Sequence, residues 1–145
     1  KTNLGKFKNP ITLVQIMGSW CPNCLDETKY YNGLYEKYHE LGLEIKSIGF
    51  EYGSSRRIQR KKLKRFVKKA DIKYPVYLGA KASKKLASQL FPMLNAVTSF
   101  PTTLLVNKKG EIIHVHTGFN GPGTGVYFED YKKEIESIIE NQLRY

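Results

Sequence analysis

The sequence predicts an α/β domain in which a central mixed sheet is flanked by helices, in the order β-α-β-α, a small insert, then β-β-α. Three observations predict it. Apolar strand-like runs near the N-terminus alternate with segments whose apolar residues recur at helical spacing. A Gly-ended polar loop joins two later strand-like runs, as in a hairpin. The chain has 145 residues, 41% of them hydrophobic, which suits a single domain over residues 1–145 with room for a core.

The elements follow in order. Ile11 to Ile16 is apolar and partly β-branched, as a buried strand requires. Met17, Gly18 and Ser19 allow a tight turn. Cys24, Thr28, Tyr31, Leu34, Tyr35, Tyr38 and Leu41 then recur at helical spacing, and the stripe of Tyr30, Tyr31, Tyr35 and Tyr38 reads as a core or interface face. Leu43 to Phe50 alternates like a second strand. The basic stretch from Arg56 to Lys69 follows, with Leu63, Phe66, Val67 and Ala70 on one side of a helix. The insert holds a short extended piece at Tyr74 to Leu78 and a helix from about Ser83 to Leu90. Thr102 to Val106 is a strand, Asn107-Lys108-Lys109-Gly110 a hairpin loop with Gly at the left-handed position, and Glu111 to Thr117 the returning strand. Phe128, Tyr131, Ile135, Ile138 and Ile139 line one face of the last helix.

Charge is the unusual feature. Lys and Arg number 24 against 13 Asp and Glu, a formal net charge of +11. Nine of the basic residues, and no acid, lie in the 14 residues from Arg56 to Lys69. That run reads as a solvated helix face, with an anionic membrane surface or an acidic partner as the alternative. Nucleic acid is not expected as a partner, because no groove-reading or aromatic-interleaved motif accompanies the charge. The composition excludes a disordered chain, a collagen-like repeat and a disulfide-dense mini-protein. No segment is long and apolar enough to span a bilayer, and no signal peptide is visible. Lys1 is not a start methionine, so the chain is expected to be a fragment or a mature form.

The only two cysteines are Cys21 and Cys24, in Gly18-Ser19-Trp20-Cys21-Pro22-Asn23-Cys24. Three readings compete: a redox dithiol, half of a zinc site, and a small structural disulfide. Zinc needs four ligands. His114 and His116 share a strand face by period two, but no second cysteine pair exists. A disulfide over three residues closes too short a loop to stabilise much. The redox reading demands a strand-to-helix junction, and the pattern supplies one, with Pro22 suited to the first helical turn. Free N–H groups and the dipole at a helix N-terminus stabilise a thiolate. Cys21 is therefore expected to be the nucleophile, with a lowered pKa, and Cys24 the more buried resolving thiol. Neither a cofactor nor a resident metal is expected. Gly121-Pro122-Gly123-Thr124-Gly125 lacks the third position of a dinucleotide fingerprint and a P-loop lysine, so it reads as a sharp turn before the last helix.

The element order with Trp-Cys-x-x-Cys after the first strand resembles the thioredoxin fold. Three passages narrow the resemblance to TlpA/ResA-type thiol-disulfide oxidoreductases: Gly-Ser-Trp-Cys-Pro-Asn-Cys-Leu-Asp-Glu, Ser-Phe-Pro-Thr-Thr-Leu-Leu-Val-Asn-Lys-Lys-Gly-Glu-Ile and His-Thr-Gly-Phe-Asn-Gly-Pro-Gly-Thr-Gly. The resemblance implies a cis Pro101 facing the dithiol and a functional Glu27 that shuttles protons to Cys24, against the alternative of a first-turn glutamate favoured by the helix dipole. Trp20, Pro22, Asn23 and Phe100, which flank the dithiol, are expected to meet the substrate, Trp20 as an exposed apolar platform. The Gly-rich loop is placed on the same side.

The resemblance further implies a bacterial, extracytoplasmic reductant of protein disulfides. It would draw on an upstream thiol electron donor and be tethered to the membrane outside this segment. The alternative function is a binding module that docks through helix 56–69, with the dithiol only a sensor. The chain also departs from the family. Gln15 stands where many thioredoxins carry a buried aspartate, no helix-kinking proline follows Glu27, and only ten residues precede Ile11, so the N-terminal hairpin of the family is expected to be missing. A peroxiredoxin Pro-x-x-x-Thr-x-x-Cys run does not occur.

Overall fold

A computed structural model describes residues 7–94 and 96–144. The segment ahead of residue 7, where the family's N-terminal hairpin would begin, lies outside the described residues. Strand β1 (Ile11–Met17) is buried along its whole length and occupies the centre of a five-stranded sheet of order β3-β2-β1-β4-β5. It pairs in parallel with β2 (Leu43–Glu51) and antiparallel with β4 (Thr102–Asn107). The edge strands are β3 (Val76–Lys81), parallel to β2, and β5 (Ile112–Thr117), antiparallel to β4. The sheet is therefore mixed, as expected.

The insert contributes more than the sequence pattern suggests. The extended piece expected at Tyr74 to Leu78 begins two residues later and runs on to Lys81. It becomes a full edge strand, with a register shift opposite Gly49 and Phe50. Its alternation is weak because both its faces are half covered, so periodicity alone does not mark its end. Helix α3 (Lys84–Leu90) follows, capped by Ser83, whose hydroxyl accepts the Leu86 N–H.

Helices α1 (Pro22–Tyr38), α2 (Arg56–Lys69) and α4 (Val126–Leu143) share one face of the sheet. The core there joins Ile11, Leu13 and Met17 of β1 to Tyr31 and Leu34 of α1, Leu63 and Phe66 of α2, and Ile135 and Ile139 of α4. The other face carries Ile16 and Phe50 under Ala87, Val97 and Phe91, and Val14, Leu104 and Val106 beside them. Alternate residues of one strand thus enter two cores, as the pleat dictates. The tyrosine stripe is interface, not surface. Tyr31 is fully buried and hydrogen-bonds Tyr131 at 2.6 Å, and the Tyr30 hydroxyl donates to Glu136 at 2.6 Å, so phenols of α1 tie that helix to α4. All nine basic residues of α2 are exposed, while its buried positions are Gln59, Leu63 and Phe66. The hairpin between β4 and β5 turns at Gly110 with φ 83°, a left-handed conformation that a side chain would disfavour.

Candidate active site

The dithiol sits where β1 hands over to α1. Cys21 is the N-cap of α1 in extended conformation, and Pro22 fills the first helical position, where its missing N–H costs nothing. The Cys24 N–H donates to the Cys21 sulfur at 3.2 Å. A cap normally supplies an oxygen for this orphan N–H; here it is a sulfur, best suited to the role as a thiolate. The Cys21 thiol reaches the carbonyl of Phe100 at 3.7 Å, on the residue joined to Pro101 by a cis peptide bond. Both thiols are free.

The turn before the helix is fastened to β2. Ser19 donates its N–H at 2.8 Å to one Glu51 carboxylate oxygen and its hydroxyl to the other. The Trp20 indole N–H donates to the Phe50 carbonyl at 2.7 Å, laying the ring across Gly18. A Cβ at Gly18 would overlap the indole and come within 2.9 Å of the Phe50 carbonyl oxygen, so only glycine admits this approach. Trp20 remains 39% exposed and meets Phe100 edge-on at 5.4 Å. Pro22 and Asn23 are exposed and Phe100 is half-buried, so the four flanking residues form a rim around Cys21.

The two thiols have opposite proton affinities. Hydrogen bonding from the Cys24 thiol lowers the pKa of Cys21 to about 7. The backbone N–H groups of Cys24 and Asn23 add to this, and burial opposes it. Burial pushes Cys24 strongly up, reinforced by its hydrogen bond to Cys21, by the Cys21 charge and by the charge of Glu27. One thiolate therefore forms near neutrality at Cys21 while Cys24 holds its proton.

Glu27 lies behind this pair, completely buried. It is the sixth residue of α1 and does not belong to the first turn, so the helix-dipole alternative does not describe it. Its carboxylate accepts hydrogen bonds from Gln15 Nε2 at 3.0 Å, Tyr131 Oη at 2.8 Å and Thr103 Oγ1 at 3.4 Å. Burial raises its pKa to about 7 against the opposing effect of these donors. Its influence on Cys24 is through charge, with its hydrogen bonds spent on the network. Gln15 in turn accepts the Ser47 hydroxyl at 2.7 Å and donates to Thr28. The absence of an aspartate at position 15 thus acquires a reason: β1 offers a neutral amide, and the buried acid comes from α1.

Cys21, Cys24, Glu27, Pro101, Trp20, Pro22, Asn23 and Phe100, the residues expected from the sequence, come together around the β1–α1 junction. Tyr31, Thr103 and Tyr131 as partners of Glu27, and the Ser19–Glu51 clasp, are not expected from the sequence. One signal existed: Gln15 is a polar residue inside an otherwise apolar strand, and a buried amide requires partners. The Gly-rich loop closes near α1, where a Cβ on Gly121 would stand 3.8 Å from Asp26 Oδ2. The histidines weighed as zinc ligands do not group with the cysteines among the described residues; His114 and His116 cluster with Glu134 instead.

Comparison with known proteins agrees with this geometry. The Redoxin family matches residues 1–135. The chain is 30% identical over 135 residues to thiol-disulfide oxidoreductase ResA of Bacillus thuringiensis subsp. konkukian (strain 97-27), covering 93% of this chain and 69% of the relative. ResA of Bacillus cereus (strain ATCC 10987 / NRS 248) matches to the same extent. Among solved structures, StoA from Bacillus subtilis superposes with a TM-score of 0.61 at 21% identity, over 88% of this chain and 83% of that one. A Chlorobium tepidum protein described as thiol:disulfide interchange protein DsbE superposes with a TM-score of 0.70 at 18% identity, over 93% and 81%. These structural likenesses show the thioredoxin-like fold.

Proposed function

The chain belongs to the redoxin family and, within it, to the ResA-type thiol-disulfide oxidoreductases, and from that premise we propose that it works as a reductant of protein disulfides through Cys21 and Cys24. The observation that carries the dithiol exchange is the cap geometry: the Cys21 sulfur receives the Cys24 N–H at 3.2 Å and ionises near pH 7; the reducing direction rests on the TlpA/ResA resemblance. The Cys21 thiolate attacks one sulfur of a substrate disulfide. A mixed disulfide forms and the other substrate sulfur leaves as a thiolate. Cys24 then loses its proton and attacks Cys21. The second substrate sulfur leaves, the substrate has gained two electrons, and the protein holds a Cys21–Cys24 disulfide.

Cys24 must ionise for the second attack, and burial opposes that. Glu27, with its pKa held near neutrality, has the proton affinity to take up the released proton. Its protonation also removes a negative charge that disfavours the Cys24 thiolate. Trp20, Pro22, Asn23, Phe100 and the Pro101 segment form the surface offered to the substrate. An upstream thiol donor returns the electrons. The TlpA/ResA resemblance supports an extracytoplasmic setting, and residues 1–145 form one catalytic domain.

The test is trapping. With Cys24 replaced by Ser, Cys21 should accumulate mixed disulfides with disulfide-bearing proteins, while the parent reduces insulin. Absence of both turnover and trapping at neutral pH would refute the proposal. A second reading is favoured by α2, whose nine basic side chains are all exposed: the helix docks an acidic protein partner. Reversing the charges of Arg60, Lys61, Lys64 and Lys68 should then weaken such a complex without slowing insulin reduction. Unchanged affinity would overturn that reading.

A further inference from the structure

We propose that His114, His116 and Glu134 form a binding site for a divalent transition-metal ion of the zinc class, separate from the dithiol. The two histidines are two residues apart on edge strand β5 and point to the same side of the sheet, towards α4. Ile113 before them and Val115 between them face the other way and are exposed. From α4, Glu134 brings one carboxylate oxygen to 3.6 Å from His114 Nε2 and 3.9 Å from His116 Nδ1. The three ligand atoms lie within 4.8 Å of one another.

An ion bound at about 2.0–2.1 Å from each donor needs donors somewhat over 3 Å apart. The observed spacing is therefore too long for direct hydrogen bonds and within a small closing movement of a chelate. Glu134 can supply that movement, because its side chain is half exposed. The rings supply rigidity. His116 packs edge-on against Tyr131 at 4.6 Å, and the two imidazole planes lie within 24° of each other.

The burial of His114 also points to a ligand. His114 Nε2 is buried from solvent and has no hydrogen-bond partner, although buried polar atoms are almost always satisfied. A cation between this nitrogen and the Glu134 oxygen satisfies both. The donor set also selects the ion. Two imidazoles and one carboxylate suit zinc, copper or nickel, whereas calcium and magnesium prefer oxygen ligands. Three protein donors leave a position for water. Binding ties edge strand β5 to α4, so it should stabilise the folded chain by mass action.

The test uses untagged protein in which both cysteines are replaced by serine, so that no thiolate can compete for the metal. Zinc titrated by calorimetry should bind saturably with one ion per chain and raise the unfolding temperature. His114→Gln, His116→Gln and Glu134→Gln in that background should each weaken binding by about tenfold or more. Circular dichroism of each variant checks that it remains folded. As a second measurement, zinc added to the cysteine-free parent should shift the ring nitrogens of His114 and His116 in NMR and leave those of His39 in place. The proposal is overturned if no saturable binding occurs, if binding survives all three substitutions undiminished, or if the shifted ring is that of His39. None of these results bears on disulfide reduction, which the dithiol performs without this site.

Discussion

Replacing Glu27 by Gln should remove the share of the pH dependence of stability that its buried carboxyl contributes. Burial holds this carboxyl at about 7 instead of the ordinary 4.5. The folded state therefore keeps a proton that the unfolded chain has already released. Stability attached to that proton is fully present below pH 4.5 and is lost as the pH rises to about 7. At 1.36 kcal/mol for each tenfold change in proton affinity, the loss amounts to about 3 kcal/mol. Glutamine has nearly the same shape, can still accept from Gln15 or Tyr131, and does not titrate. The assay is urea unfolding of the reduced protein at a series of pH values between 4.5 and 8. The gap in unfolding free energy between the ends of that range should shrink by about 3 kcal/mol in Glu27→Gln relative to the parent. Glu51, whose carboxyl burial also raises, contributes a slope of the same sign that persists in both proteins, so the difference between them isolates Glu27. An unchanged slope in Glu27→Gln would show that the buried carboxyl carries no raised pKa, and the proton-acceptor role would fall with it.

Further outcomes follow from the same geometry. Alkylation of the reduced protein by iodoacetamide should occur at Cys21 with a midpoint near pH 7 and leave Cys24 unmodified; a midpoint near 9 would contradict the cap arrangement. Tyr131→Phe removes a donor that lowers the Glu27 pKa, so the stability transition assigned to Glu27 should move to higher pH. Gly18→Ala should displace the indole of Trp20 and destabilise the fold by about 1–3 kcal/mol, read as a change in tryptophan fluorescence with a lowered urea midpoint. Ile139→Ala, which empties a fully buried position of α4, should cost about 2–5 kcal/mol and leave the Cys21 alkylation midpoint in place.

Much of this protein is legible along the chain because its determinants are local. The β-branched run at 11–16, the helical recurrence from Cys24 and the Gly110 turn each depend on neighbours within a few residues, and each forms where the pattern puts it. The Cys21–Cys24 spacing across a strand-to-helix junction likewise determines, without any tertiary knowledge, that one sulfur caps a helix and the other lies one turn inside it. The charge excess resolves in the same way, because α2 buries only Gln59, Leu63 and Phe66 and leaves its basic residues to solvent.

What tertiary structure alone decided is which distant groups meet. Glu27 could be read equally as a proton shuttle for Cys24 or as a first-turn glutamate favoured by the helix dipole. Its fate depends on Gln15, Thr103 and Tyr131, which lie 12, 76 and 104 residues away. The insert became an edge strand because β2 had an open edge to pair with, a property of the sheet and not of residues 76–81. The grouping of His114 and His116 with Glu134, a residue that the period-two spacing of the histidines does not point to, follows from α4 crossing the same face as β5. Periodicity reports the direction in which a side chain points; only packing determines what stands opposite it, and burial there is what turns an ordinary carboxyl into one that titrates near neutrality.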